Sequence, residues 1–153
     1  MLKSIFYILA ICSMAGFSGV MITIGVSFGG YWRSLPPAEF LAWYGKNVQF
    51  VSNAIPLIVV PAFIGLIGAV WVSWSVASVR NLWLVSFLLF IVVAVMTFAY
   101  FVPANTAFAN SEIAVADVTA KLNQWVMVHY VRIGLAMLSA IVGCIAMARH
   151  SAL

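Results

Sequence analysis

Near its C-terminus the chain carries Trp125-Val-Met-Val-His-Tyr-Val-Arg132 inside a long apolar run. At about 100° per helical residue, positions 125, 129 and 132 fall within about 60° of one another, so an indole, an imidazole and a guanidinium share one stripe. Ala136, Ser139 and Gly143 continue it with small side chains, which directs the polar end into a helical bundle. Arg132 lies well inside the apolar run, where an arginine costs roughly 2.5–3.5 kcal/mol unless it is paired or hydrated. No acidic residue falls inside any apolar run. Its partners are then carbonyls, amides, water, or a ligand that is anionic or carries a carbonyl. An arginine that only snorkels to anchor its helix would leave the stripe shared with Trp125 and His129 unexplained. An imidazole exchanges a proton near neutral pH, so His129 is a candidate acid–base group; a hydrogen-bonded histidine between helices is an equally good reading.

Other polar groups converge on the same end. Gln49, Asn53 and Pro56 follow an i, i+4, i+7 spacing, Pro103-Ala-Asn105 closes a third apolar run, and Thr23 and Ser27 bring hydroxyls from the first. Asn53, Asn105 and Trp125 are therefore candidate ligand-binding residues around a pocket that opens away from the termini. Mostly apolar pockets with a few convergent polar groups are the usual form of a small-molecule site. The opposite end offers little beyond Ser73, Ser75 and Ser78. No metal site is expected, since one intramembrane histidine without nearby Asp, Glu or Cys falls short of any usual ligand set. Met127 points about 160° away from His129. Cys12 and Cys144 lie in apolar runs and read as buried thiols.

The elements that must position these groups follow from composition. The chain has 153 residues, 66% hydrophobic and 7% charged, against roughly 25% charged in an ordinary soluble domain. It cannot build a water-facing surface. Four apolar runs, at about 4–27, 48–79, 82–102 and 122–148, are each long enough to span a bilayer. The fold class is all-α: one integral membrane domain, an antiparallel four-helix bundle joined by short connections. Gly29-Gly30 and Pro36-Pro37 break the chain after the first span, and a short interfacial helix is expected over Pro37–Tyr44. Pro56 and Pro61 should kink the second span, Arg80-Asn81 should form a tight turn, and Pro103 should stop the third. Gly25 and Gly29, Gly65 and Ala69, and Ser139 and Gly143 are small pairs spaced for close helix approach.

The net charge of +4 reflects a scarcity of acids, and the seven bases are scattered singly. That excludes a phosphate-tracking nucleic-acid surface. Lys3, Arg80 and Arg149 lie on the side of the termini, and Arg33, Lys46 and Lys121 on the other with all three acids. The bases tie, and the crowding of three onto very short flanks favours cytoplasmic termini. The localisation expected is a bacterial inner (plasma) membrane.

Phe28-Gly-Gly-Tyr-Trp-Arg-Ser-Leu-Pro-Pro-Ala-Glu-Phe40, Pro103-Ala-Asn105 and Trp125-x3-His129-x2-Arg132, in this order and spacing, resemble the anthrone-oxygenase-like family of small four-span membrane proteins. The resemblance implies a four-helix membrane bundle and, for some members, oxidation of anthrone-type aromatics to quinones with no cofactor. The family commonly has an Asn directly after its Pro-x-Asn, where this chain has Thr106. On that resemblance His129 would abstract a proton, Arg132 would stabilise the oxyanion, Asn53 and Asn105 would orient a carbonyl, and Trp125 would stack on a flat ring. The alternative is a non-catalytic module that binds a quinone or lipid, or a small subunit of a homo-oligomer or larger membrane complex.

Overall fold

A computed structural model describes residues 1–152, and these form an all-helical bundle with no strand among the described residues. Four long apolar helices run up and down: α1 (Leu2–Ser34), α2 (Pro37–Val72), α3 (Ala77–Ala109) and α4 (Val115–Ser151). Each is long and apolar enough to cross a bilayer, and the chain is an integral membrane protein. At 1.5 Å per residue each helix is about 50 Å or more, well beyond a hydrocarbon core of about 30 Å. The excess lies at the end opposite the termini, called here the cap end. There, Lys46 and Lys121 sit well inside their helices, whereas Lys3, Arg80 and Arg149 crowd the terminal end.

The helices run longer than the apolar runs because Gly and Pro are weaker punctuation in lipid. Without water to satisfy a free amide, the backbone keeps its internal hydrogen bonds. α1 continues through Gly29-Gly30 to Ser34, so those glycines do not end it. The short helix expected from Pro37 is present as Pro37–Ser52, twice the expected length, and only a turn at Asn53–Ala54 separates it from Ile55–Val72. Arg80-Asn81 is not a turn. The chain reverses at Ser73–Val76, and both residues lie in the first turns of α3.

Nor does Pro103 stop α3. Its missing amide falls just after a π-helical turn, Thr97–Phe101, where Val102 N donates to Thr97 O five residues back. Widening the helix there removes the need for Pro103 to donate, and the helix resumes to Ala109. A second π turn, Ile24–Phe28, interrupts α1 at a similar depth, with Gly29 N donating to Ile24 O.

Around the bundle α1 packs along α2 and α4, and α3 along α4; the α2–α3 seam is the most loosely packed of the four. The core is aromatic toward the cap, with Trp32, Phe40, Tyr44 and Phe108 buried; toward the termini small residues, Ala10, Ala69 and Ala146, pack beside the stacked rings of Tyr7 and Trp83. Cys12 and Cys144 are not buried in protein as expected; both lie exposed on the outer surface of the bundle.

Candidate functional site

The Trp125, His129, Arg132 stripe faces the bundle interior, as its helical phase requires. His129 is fully buried, and Arg132 is 5% exposed despite its charge. Arg132 Nη2 donates to His129 Nδ1 at 2.6 Å, and His129 Nε2 bonds Met21 O at 2.8 Å across to α1. A guanidinium has only donors and a carbonyl only lone pairs. The imidazole is therefore neutral, with its proton on Nε2 and its Nδ1 lone pair given to Arg132. Both nitrogens are committed, so the expected role of a free base meets a ring with no lone pair left for a substrate.

Two groups fix the rest of the arginine. Phe101 lies beneath it, with Cζ 3.6 Å from the ring centroid, a desolvated cation–π contact worth about 2 kcal/mol. Arg132 Nη1 reaches Thr97 Oγ1 at 3.4 Å, and Nε has no partner. Thr97 and Phe101 bracket the π turn of α3, so the same backbone distortion that accommodates Pro103 presents both to Arg132. Together these contacts offset a burial cost of about 2.5–3.5 kcal/mol without a carboxylate, since Glu39, Glu112 and Asp117 are all exposed at the cap end.

Trp125 stacks on His129 with centroids 4.7 Å apart and planes at 12°. Its indole Nε1 donates to Asn105 Oδ1 at 2.8 Å, which ties α4 to the end of α3. Gly25 allows this packing, because a Cβ there would lie 2.9 Å from His129 Cδ2.

In front of the stripe is a cavity of about 380 Å³, within the range of about 300–1,000 Å³ usual for small-ligand sites. All four helices line it. Arg132, Trp125 and Asn105 are on its wall with Tyr44, Ser52 and Thr97, while His129 lies behind and does not reach it. Of the expected site residues, the fold thus brings together Trp125, His129, Arg132 and Asn105.

Asn53 does not join them: it is exposed at the break in α2, Gln49 one turn earlier is exposed as well, and neither lines the cavity. The inward face of α2 is Tyr44, Val48, Val51, Ile55, Val59 and Phe63, so the amides turn to the outer surface of the bundle. Thr23 and Ser27 are likewise exposed, and Thr23 satisfies its hydroxyl on Gly19 O. Sequence reasoning missed Tyr44, Thr97 and Phe101. The heptad-like apolar spacing from Tyr44 to Phe63 was a usable signal; the π turn that selects Thr97 and Phe101 was not.

The terminal end is more polar than expected. Tyr7 Oη bonds Ser73 Oγ at 2.6 Å and His150 Nδ1 at 3.3 Å, and Lys3 Nζ donates to His150 Nε2 at 3.4 Å. Ser73 passes its own proton to Ala69 O at 2.7 Å. This chain of hydrogen bonds joins α1, α2 and α4 at their ends. Among the described residues no three His, Cys, Asp or Glu side chains come together.

No curated protein and no solved structure matches the chain. A family model described as anthrone oxygenase matches residues 40–142, a range that includes Tyr44, Asn105, Trp125, His129 and Arg132 and leaves out α1. Since that match covers more than half of the chain, and four apolar helices suit a small four-span protein, the chain belongs to the anthrone oxygenase family.

Proposed function

We propose that the protein is a cofactor-independent oxygenase acting on a flat, hydrophobic, phenol- or anthrone-like aromatic held in the intramembrane cavity. The observation that carries this reading is a buried guanidinium, without a carboxylate partner, on the wall of an apolar cavity. A cation in low dielectric favours whatever develops negative charge beside it. An anthrone-type substrate does so when its methylene ionises, because the charge is delocalised onto the ring oxygen. Arg132 would meet that oxygen, and Trp125 and Phe101 would flank the rings.

The balance closes without a reductant: the ring methylene and dioxygen give a ring carbonyl and water, the carbon being oxidised and dioxygen reduced. Loss of a proton to water forms the delocalised carbanion, oxygen adds to carbon, and the peroxide takes a proton back from water. The remaining C–H proton then leaves as the O–O bond breaks, which forms the carbonyl and releases water. His129 supports this as a positioning residue, holding Arg132 through Nδ1. The substrate-orienting role expected of Asn53 passes to Tyr44, whose ring is on the cavity wall. In detergent-purified protein supplied with an anthrone, oxygen uptake should match quinone formation one to one, and Arg132→Ala should lower the rate about 100-fold. An undiminished rate in that variant would sink the reading.

A second reading rests on the commitment of both His129 nitrogens, which leaves no free imidazole base at the cavity. The protein would then bind a phenol or quinone without converting it. Tight retention of an anthrone with no product over many hours would favour it.

The membrane we infer is a bacterial plasma membrane with both termini in the cytoplasm, because Lys3, Arg80 and Arg149 crowd the terminal end. A Ser151→Cys variant lacking Cys12 and Cys144 should resist an impermeant maleimide in intact cells and react after lysis. Labelling of intact cells would reverse the orientation.

A further inference from the structure

The wall of the cavity is not continuous. Pro56 and Val60 on α2 and Phe98 and Val102 on α3 line the cavity and are also exposed on the outside of the bundle, Phe98 by 74%. All four are apolar. They face each other across the α2–α3 seam, the loosest of the bundle. Their depth is that of lipid: Val60 lies two turns farther from the cap than the exposed Asn53, and Val102 lies on the membrane side of Asn105.

The other directions are closed. Toward the cap, Trp32, Phe40, Tyr44 and Phe108 are each at most 2% exposed and pack edge to face, with Trp32 and Tyr44 centroids 5.3 Å apart and Phe40 and Phe108 5.1 Å apart. A smaller cleft of about 110 Å³ beside Arg33, Thr119 and Asn123 shares only Trp32 with the main cavity, and that indole stands between them. Toward the termini, Phe17 and Phe90 close the floor at 5.5 Å.

We propose that the cavity fills sideways from the bilayer, through a portal between α2 and α3 rimmed by Pro56, Val60, Phe98 and Val102. Its occupant is a flat hydroxylated aromatic dissolved in the lipid. The identity of the occupant rests on the functional reading above; the route rests on the wall itself. An apolar rim admits a ring system and excludes hydrated ions, while Arg132 inside supplies a charged donor, which selects a ligand carrying an oxygen. Phe98 belongs to the same π turn as Thr97 and Phe101. Such a turn has poorer hydrogen-bond geometry than an α-helix and recurs at functional sites. Portal and arginine anchor therefore share one deformable element.

The test uses the full chain in phosphatidylcholine nanodiscs and 1,8-dihydroxyanthraquinone as probe, followed through the probe's own absorbance in stopped flow. Val60→Phe with Val102→Phe narrows the rim and should slow association and dissociation alike, each about tenfold, with Kd moving less than about threefold. Phe98→Ala removes the outermost rim ring and should speed both rates. Thr119→Phe with Asn123→Phe fills the water-side cleft and should leave both rates unchanged. Slowing by the cleft variant, with no response to the rim variants, would overturn the portal.

The two readings fail differently. Should the rim control the rates while no anthrone is oxidised, the oxygenase reading falls and the portal stands. Should Arg132→Ala bind the probe equally well while the rim still sets the rates, the oxygenase reading falls and the portal stands; should the wild-type protein not bind the probe at all, both fall.

Discussion

Toward the termini α1 and α2 touch through small residues and the Tyr7 and Trp83 rings stack between α1 and α3; toward the cap the same helices part around a cavity. In the first region a methyl at Gly65 would run into the Ala10 backbone, and one at Gly68 into the Phe6 ring. Ser86 and Ser139 each donate to the other's carbonyl at 2.8 and 2.7 Å. In the second region Phe101, Trp32, Trp125 and Tyr44 keep the helices apart, and two π turns rotate the faces they present. The difference shows how one bundle serves two ends. Close backbone approach supplies van der Waals packing, a chief source of association between apolar helices in lipid. That closure lets the cap end hold a void and a buried charge.

Breaking the tight end should give the largest effect. Gly65 faces backbone, which cannot swing aside as a side chain can, so Gly65→Val must separate α1 from α2. Overpacking of this kind costs about 3 kcal/mol. The variant should therefore melt much lower in detergent than the wild type. Gly134, where nothing lies within 4 Å of an added Cβ, is the matched control, and Gly134→Val should change melting little. Equal losses at the two sites would mean that close approach is not what holds the terminal end.

Relieving the cap end should move stability the other way. Arg132 has no carboxylate partner, so replacing it leaves no orphaned countercharge; what remains unpaired is the Nδ1 lone pair of His129. Arg132→Met keeps much of the volume and removes the charge. The ligand-free protein should gain about 1 kcal/mol, in line with buried charges replaced by apolar side chains, while phenol binding falls. A loss of several kcal/mol would show that the arginine is a structural clasp rather than a charge held for a ligand.

The four spans and the inward stripe were legible in the sequence, because composition and a 3.6-residue period report directly on lipid and protein contact. The ends of the elements were not. Gly29-Gly30, Pro103 and Arg80-Asn81 break helices by rules that hold in water, and in lipid the backbone stays helical through all three. The inward expectation for Asn53 rests on the premise that amides avoid lipid. Asn53 instead falls at the break between two helical segments, where its side chain turns to the outer surface. Asn105, one of the candidate residues, does reach the cavity wall, and there the Trp125 indole occupies its carbonyl. Nothing in residue spacing marks Thr97 or Phe101, since a π turn adds a residue without altering composition.

The smallest effect expected is at the serine pair that separates the two regions. Ser86 and Ser139 form reciprocal bonds between α3 and α4, and Ser139 Oγ also approaches Met14 Sδ at 2.9 Å from α1. On geometry alone this looks like a strong clasp at the floor of the cavity. The energetics argue otherwise. Each accepting carbonyl already belongs to a helix, so truncating either serine leaves no unsatisfied acceptor, and alanine fits wherever serine did. Hydrogen bonds between membrane helices average about 0.6 kcal/mol in double-mutant cycles, since the separated helices find other partners. Ser86→Ala and Ser139→Ala should each cost about that much, and the double variant should lose less than the sum because both share one contact. The cycle is read from thermal or denaturant unfolding in one detergent. A coupling above about 2 kcal/mol would make the serines, rather than the glycines, the element that closes the terminal end, and would then predict that Gly65→Val is tolerated while either serine is kept.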